Sequence, residues 1–143
     1  EKINSLEATK RELEKIKPKM TEEYFPLVDV KLLYDNIVVI KNLLEGQLIF
    51  KEKEFLMKSS LKEVGFSNSD EDFVIIQGIV DFFAIGKKNI LIDFKYSSAN
   101  EQTLKERYEK QIQLYTHAIE KAFNKKLDEK YLLSLKNSKL IKF

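Results

Sequence analysis

The chain predicts an α/β fold, a mixed central β-sheet flanked by helices, and three observations carry that expectation. The stretch Phe73 to Lys95, FVIIQGIVDFFAIGKKNILIDFK, holds two runs rich in Val, Ile and Phe, interrupted by Gly86, Lys87 and Lys88, which is the pattern of a hairpin of apolar strands. Two segments, Val30 to Leu44 and the run from about Thr103, repeat apolar residues at helical spacing before and after that hairpin. A further apolar run at Leu127 to Leu135, containing YLLSL, adds a strand after the second helix. With 143 residues, 43% hydrophobic and 34% charged, the composition suits one globular domain with a core of its own.

Taken in order, residues 1 to about 17 give a weakly amphipathic helix, with Ile3, Leu6, Leu13 and Ile16 as its sparse apolar positions and Pro18 closing it. Residues 1–28 are accordingly read as an N-terminal helix and linker, packed on the domain edge or acting as a connector from an upstream domain, and residues 29–143 as the domain itself. Asp29 is positioned to cap the helix Val30 to Leu44, whose stripe is Leu33, Ile37, Ile40 and Leu44 and which Gly46 ends. Gln47 to Lys58 alternates Leu48 and Phe50 with charged neighbours and reads as a strand meeting the hairpin, with Glu54 in it. Ser59 to Asp72 is polar and reads as a loop. After Tyr96 to Gln102 a helix begins near Thr103, where Thr103 and Glu106 have capping-box spacing. Its stripe is Leu104, Tyr108, Tyr115, Ala118, Ile119 and Ala122, with Gln111 inside it. Asn137 to Phe143 forms a tail or a hairpin return.

The hairpin concentrates charge. A loop of Gly86 to Lys88 sets Ile85 against Asn89 and, counting outward, Asp81 against Asp93, while alternation points Lys95 the same way as Asp93. Phe73, Ile75, Ile79 and Phe83 on one face of the first strand and Val74, Ile76, Val80 and Phe82 on the other predict a central strand buried on both sides. Facing carboxylates repel, and a buried one costs several kcal/mol without compensation, so a divalent cation between Asp81 and Asp93 would remove the penalty. The alternative is a structural Asp93–Lys95 pair with Asp81 exposed at a strand end.

Net charge is +2, from 25 basic and 23 acidic residues, which demands no polyanionic partner but leaves room for a local basic surface. The absence of cysteine excludes a disulfide framework, a thiolate nucleophile and a cysteine-bound cluster in this chain, and fits a cytoplasmic protein. No apolar run approaches membrane-spanning length and no signal peptide precedes Glu1. No P-loop is present. The only histidine, His117, falls off the helical stripe and is not placed in the site.

Three blocks, GIVD at Gly78 to Asp81, DFK at Asp93 to Lys95 and QIQLY at Gln111 to Tyr115, together with KEKEFLM at Lys51 to Met57, resemble in order and spacing the RecB-like branch of the PD-(D/E)XK (restriction-endonuclease-like) nucleases, most closely the C-terminal nuclease domain of AddA-type helicase–nucleases. The likeness covers the chain from about Asp29 onward. It implies a Mg²⁺- or Mn²⁺-dependent deoxyribonuclease acting on single-stranded DNA ends in double-strand break repair. An upstream helicase domain in the same polypeptide and an AddB-like second subunit would be its partners.

The resemblance also implies residue roles. Asp81, Asp93 and the carbonyl of Phe94 would hold the metal, Lys95 would be the catalytic lysine, Glu54 would match an acidic position on the preceding strand, and Gln111 and Tyr115 would match a QxxxY motif beside the site. Without the likeness, Glu54 reads as a solvated strand charge, Gln111 as a core amide bonded to backbone and Tyr115 as ordinary packing. Two departures stand out. The family's upstream histidine ligand has no counterpart before Asp81, so it lies ahead of Glu1 or is absent, and Tyr96 occupies a position where threonine is common. The rival expectations are an inactive nuclease fold that holds DNA or docks another protein chain, and a stand-alone structure-selective endonuclease.

Overall fold

The computed structural model describes residues 3–19, 28–65, 67–68 and 71–143. Three helices and five strands follow in the order α1 (Leu6–Ile16), α2 (Val30–Leu44), β1 (Leu48–Ser60), β2 (Phe73–Ile85), β3 (Ile90–Lys95), α3 (Glu101–Phe123), β4 (Glu129–Ser134) and β5 (Lys139–Lys142), with a short 3-10 turn at Lys17–Lys19 after α1. The strands form one sheet in sequence order, antiparallel except for β3 and β4, which run parallel. A parallel pair needs a crossover, and α3 supplies it.

The expected caps are partly as read. Asp29 accepts the Leu32 N–H at 3.0 Å, and Gly46, at φ 73°, takes the left-handed turn that stops α2. α3 instead starts three residues earlier than the Thr103–Glu106 capping-box spacing suggests, because Asn100 accepts the Thr103 N–H at 2.9 Å and caps a helix that begins at Glu101. The tail resolves as a hairpin return, β5 on β4. The strand expected at Leu127 to Leu135 is β4, which pairs in parallel with β3 through the whole of Ile90 to Lys95. Part of the linker expected within residues 1–28, and part of the loop expected over Ser59 to Asp72, lie outside the described residues.

Helices cover both faces of the sheet. On one, Leu44 of α2 packs with Ala84, Ile90, Ile92 and Leu133, and on the other Ile112 and Ile119 of α3 pack with Val80, Phe83 and Leu91. Apart from Ala84, each of these side chains contributes about 1.5–3 kcal/mol on burial. The centre of the sheet is therefore β3, whose Ile90 to Asp93 are buried on both faces.

That corrects the expectation for β2. Its first half is not central: Phe73, Ile75 and Ile79 are exposed, as is Leu56 across from them on β1, with Ile75 and Leu56 each 71% accessible. Only Phe82 to Ala84 pair with β3, so β1 and β2 run on beyond the sheet as a two-stranded arm. The cause is local. Val80 and Phe83 both face α3, whereas Phe82 and Ala84 face α2, so the alternation skips at Asp81. On β1 the same skip falls at Glu52, which stands across from Asp81 with φ 46°, and the ladder pairs Lys51 with Phe82 and Lys53 with Val80 but not these two. A distortion shared by facing residues keeps the register while turning the rest of the arm over.

Candidate functional site

The hairpin register is the one read from the turn. Phe82 pairs with Ile92, Phe83 with Leu91 and Ala84 with Ile90, and one step further along sets Asp81 across from Asp93. At that step the ladder stops and β2 diverges from β3. The Phe94 N–H, with no strand carbonyl to meet, donates instead to Asp81 Oδ2 at 2.7 Å. Because the N–H and C=O of one strand residue point to the same side, the Phe94 carbonyl also faces the gap in which Asp81 sits.

Asp93 stands on the face covered by α3 and is 2% accessible. Lys95 Nζ lies 2.6 Å from its Oδ2, off the direction of an aligned hydrogen bond, so this buried oxygen has charge compensation without an oriented donor. Burial pushes the Asp93 carboxyl above its ordinary value, Lys95 opposes the shift, and the nearby negative charge of Asp81 adds to it. The structure thus contains the Asp93–Lys95 pair of the alternative reading, but Asp81 is half-buried and engaged rather than exposed at a strand end.

Helix α3 supplies the other wall. Lys95 Nζ lies 4.8 Å from the centre of the Tyr108 ring, near enough for a cation–π contact. One turn further, Gln111 Nε2 donates to Tyr115 Oη at 2.8 Å, and the Tyr115 ring meets Phe55 of β1 edge-on at 5.7 Å. Gln111 therefore finds its partner in Tyr115, not in backbone as the core reading had it. Neither residue bonds to Lys95, and Tyr108, read from sequence only as part of the apolar stripe, is the α3 side chain that touches the lysine. Gly78 fits the same wall: a Cβ there would lie 2.7 Å from Phe55 Cζ and 3.3 Å from Tyr115 Cε1, so only glycine lets the two rings close over β2.

Glu54 is not brought to this cluster. It is exposed and pairs across from Ile79 on the open face of the arm, while Phe55, next to it, faces α3. The physical reason is the skip in alternation, which makes Glu52 the β1 carboxylate residue opposite Asp81. His117, left out of the site on sequence, lies away from it and contacts Ser59 Oγ at 2.9 Å beside Glu63.

Asp81, Asp93 and the Phe94 carbonyl are oxygen donors of the kind a hard divalent cation takes, and the buried Asp93 oxygen without an aligned donor fits a cation there. Among the described residues there is no group of three or more His, Cys, Asp and Glu side chains that could hold a metal. Neither of two larger clefts, about 560 Å³ beside α3 and about 820 Å³ between α2 and β1, is lined by Asp81, Asp93 or Lys95. The acid–lysine cluster lies outside both.

The class that fold and cluster define is an α/β domain with two aspartates and a lysine gathered where a hairpin splays beside a parallel strand pair. The chain belongs to the AddA family, the A subunits of ATP-dependent helicase/nucleases. It is 32% identical over 121 residues to the family member from Alkaliphilus oremlandii, covering 79% of this chain and 10% of that protein. It is 35% identical over 147 residues to the one from Listeria monocytogenes, covering 87% and 12%, and 36% identical over 104 residues to the one from Clostridium beijerinckii, covering 68% and 8%. The chain thus spans about a tenth of the length of these relatives. No protein-family model matches it. Among solved structures, the protein SSO0001 aligns over 96% of this chain and 57% of its own at 20% identity and a TM-score of 0.47. Among the described residues no helix is long and apolar enough to cross a membrane.

Proposed function

We propose that residues 29–143 are a metal-dependent DNA nuclease domain with a PD-(D/E)XK core, that residues 1–28 connect it to an upstream helicase domain, and that the parent protein works with an AddB-like second subunit on single-stranded DNA ends during break repair. The observation that carries the reading is the buried Asp93, set across from Asp81 and paired with Lys95 at 2.6 Å where β2 leaves β3. Such a costly cluster is retained most readily where it has a ligand to hold.

Asp81, Asp93 and the Phe94 carbonyl would hold Mg²⁺ or Mn²⁺, which supplies Lewis-acid polarisation of a phosphate and a more acidic bound water. The remaining chemistry belongs to the chain. Lys95 carries a positive charge beside the acids and is 21% accessible, so it can reach a phosphate oxygen as the phosphodiester is hydrolysed or orient the attacking water. Tyr108 holds the ammonium from the α3 side, and the Gln111–Tyr115 pair fixes the helix face against β1 and β2. Binding would rest on phosphate contacts and weaken steeply with salt.

The test is Mg²⁺-dependent degradation of single-stranded DNA by the full-length parent protein and its Asp93→Ala and Lys95→Ala variants. A loss of at least about a hundredfold in each, on the order expected for residues acting in the transition state, supports the reading. Equal rates in wild type and Asp93→Ala would leave an inert nuclease-fold module, the reading favoured by the two-carboxylate ligand set.

A further inference from the structure

Tyr96 follows Lys95 directly, at the carboxyl end of β3, and is 74% accessible as a residue, the highest among the exposed large apolar and aromatic residues described. Phe94 packs on Phe82 and Tyr108 meets Lys95, but Tyr96 joins no aromatic cluster among the described residues. The backbone that carries it is nevertheless fixed. Ser134 Oγ donates to the Ser97 carbonyl at 3.0 Å, the Ala99 N–H donates to Ser97 Oγ at 3.1 Å, and the Lys95 carbonyl accepts the Leu135 N–H at 2.9 Å.

An open aromatic ring on a pinned loop is poorly explained by packing. Its place is informative, because β3, α3 and β4 form a strand–helix–strand unit, and ligands of open α/β sheets bind beyond the carboxyl ends of the parallel strands. The next residue back is Lys95 of the acid–lysine cluster, and consecutive Cα atoms lie about 3.8 Å apart, so a strand whose phosphate lies at Lys95 passes close to the backbone that carries the ring.

We infer that Tyr96 is a stacking platform for an unpaired base adjacent to the phosphate held at Lys95, an inference that rests on the nuclease reading and makes single strands the preferred substrate. A planar ring accepts any base and ignores sequence, which suits an enzyme that degrades ends of arbitrary composition. A base locked in a duplex presents no free face to it.

The experiment uses the full-length parent protein with Tyr96→Ala and Tyr96→Phe, and two probes of equal length and charge: a single-stranded oligodeoxynucleotide and the same strand with abasic residues throughout. Binding is read by fluorescence anisotropy without divalent metal, and kcat and KM with Mg²⁺. The expected result is that Tyr96→Ala weakens binding of the base-bearing strand and raises its KM by about five- to a hundredfold, leaves kcat and the abasic strand unchanged, and removes the preference between the two, while Tyr96→Phe keeps it. An unaltered base preference in Tyr96→Ala overturns the inference, and so does a drop in melting temperature with that preference intact, which would mean that another part of the parent protein covers the ring. Loss of the nuclease reading shows separately, as undiminished degradation by Asp93→Ala, since the anisotropy arm needs no catalysis.

Discussion

Asp93 is the residue on which stability and chemistry pull in opposite directions. Its carboxyl is raised by burial first, and Lys95 only partly offsets that. A carboxyl raised in the folded chain favours the folded state in acid, below the ordinary carboxylate range, and that contribution is lost as pH rises through the folded value. With a chelator present, Asp93→Asn is therefore expected to gain stability relative to the wild type between acid and neutral pH, and to differ little from it in acid. Melting curves across that range would check this, and a gap that widens toward acid would contradict it. The lysine gives the converse case. Lys95→Met strands a buried carboxylate, and a loss of about 3–5 kcal/mol at neutral pH is expected in urea unfolding, shrinking in acid as Asp93 takes up a proton. An equal loss at both pH values would mean that the lysine matters through its packing on Tyr108 and not through its charge.

At the scale of elements, the wall formed by β1, β2 and α3 closes only because Gly78 has no side chain. Gly78→Ala puts a methyl within 2.7 Å of the Phe55 ring, so Phe55 must turn and Tyr115 loses its edge contact. The expected cost is about 1–3 kcal/mol in chemical denaturation, with part of it recovered when Phe55→Leu is added to make room. Two additive losses would show that the ring is not what the methyl strikes. Tyr115→Phe, by comparison, removes only the acceptor for Gln111 Nε2 and should cost about 0.5–1.5 kcal/mol.

These elements also show what was legible in the chain. The turn at Gly86 to Lys88 and the apolar arms make the register legible, and that register, carried one step past the last ladder pair, places Asp81 across from Asp93. The exposure of Ile75 and Ile79 is not legible in the sequence, because nothing in it marks the break in alternation at Asp81. The skip depends on Glu52 adopting a left-handed conformation that nothing in its side chain announces. The same skip sets Glu52 rather than Glu54 across from Asp81, two acids too close in sequence for spacing to separate. Tyr108 was hidden because an aromatic at stripe spacing looks alike whether it faces a leucine or a lysine.

For the whole molecule, the sheet has a rigid centre and a long overhang. Ile90, Leu91 and Ile92 of β3 lie between layers from both helices, whereas Phe73 to Gln77 pair only with β1 and leave much of one face open to water. An amide exchanges by the cheapest opening that exposes it, and opening the arm breaks one ladder and little buried apolar contact. Native-state hydrogen exchange is thus expected to give the slowest amides in β3 and β4 and markedly faster exchange across Phe73 to Gln77. The boundary should fall at the break opposite Glu52. The site sits on that boundary, with Asp93 and Lys95 on the rigid side and Asp81 at the root of the arm, joined to it by the 2.7 Å bond from the Phe94 N–H. Asp81→Ala should therefore speed exchange of the Phe94 amide selectively, leaving Leu91 and Ile92 unchanged. Uniformly faster exchange through β3 would mean that the aspartate supports the core itself, and the picture of a fixed centre with a hinged acid would fail.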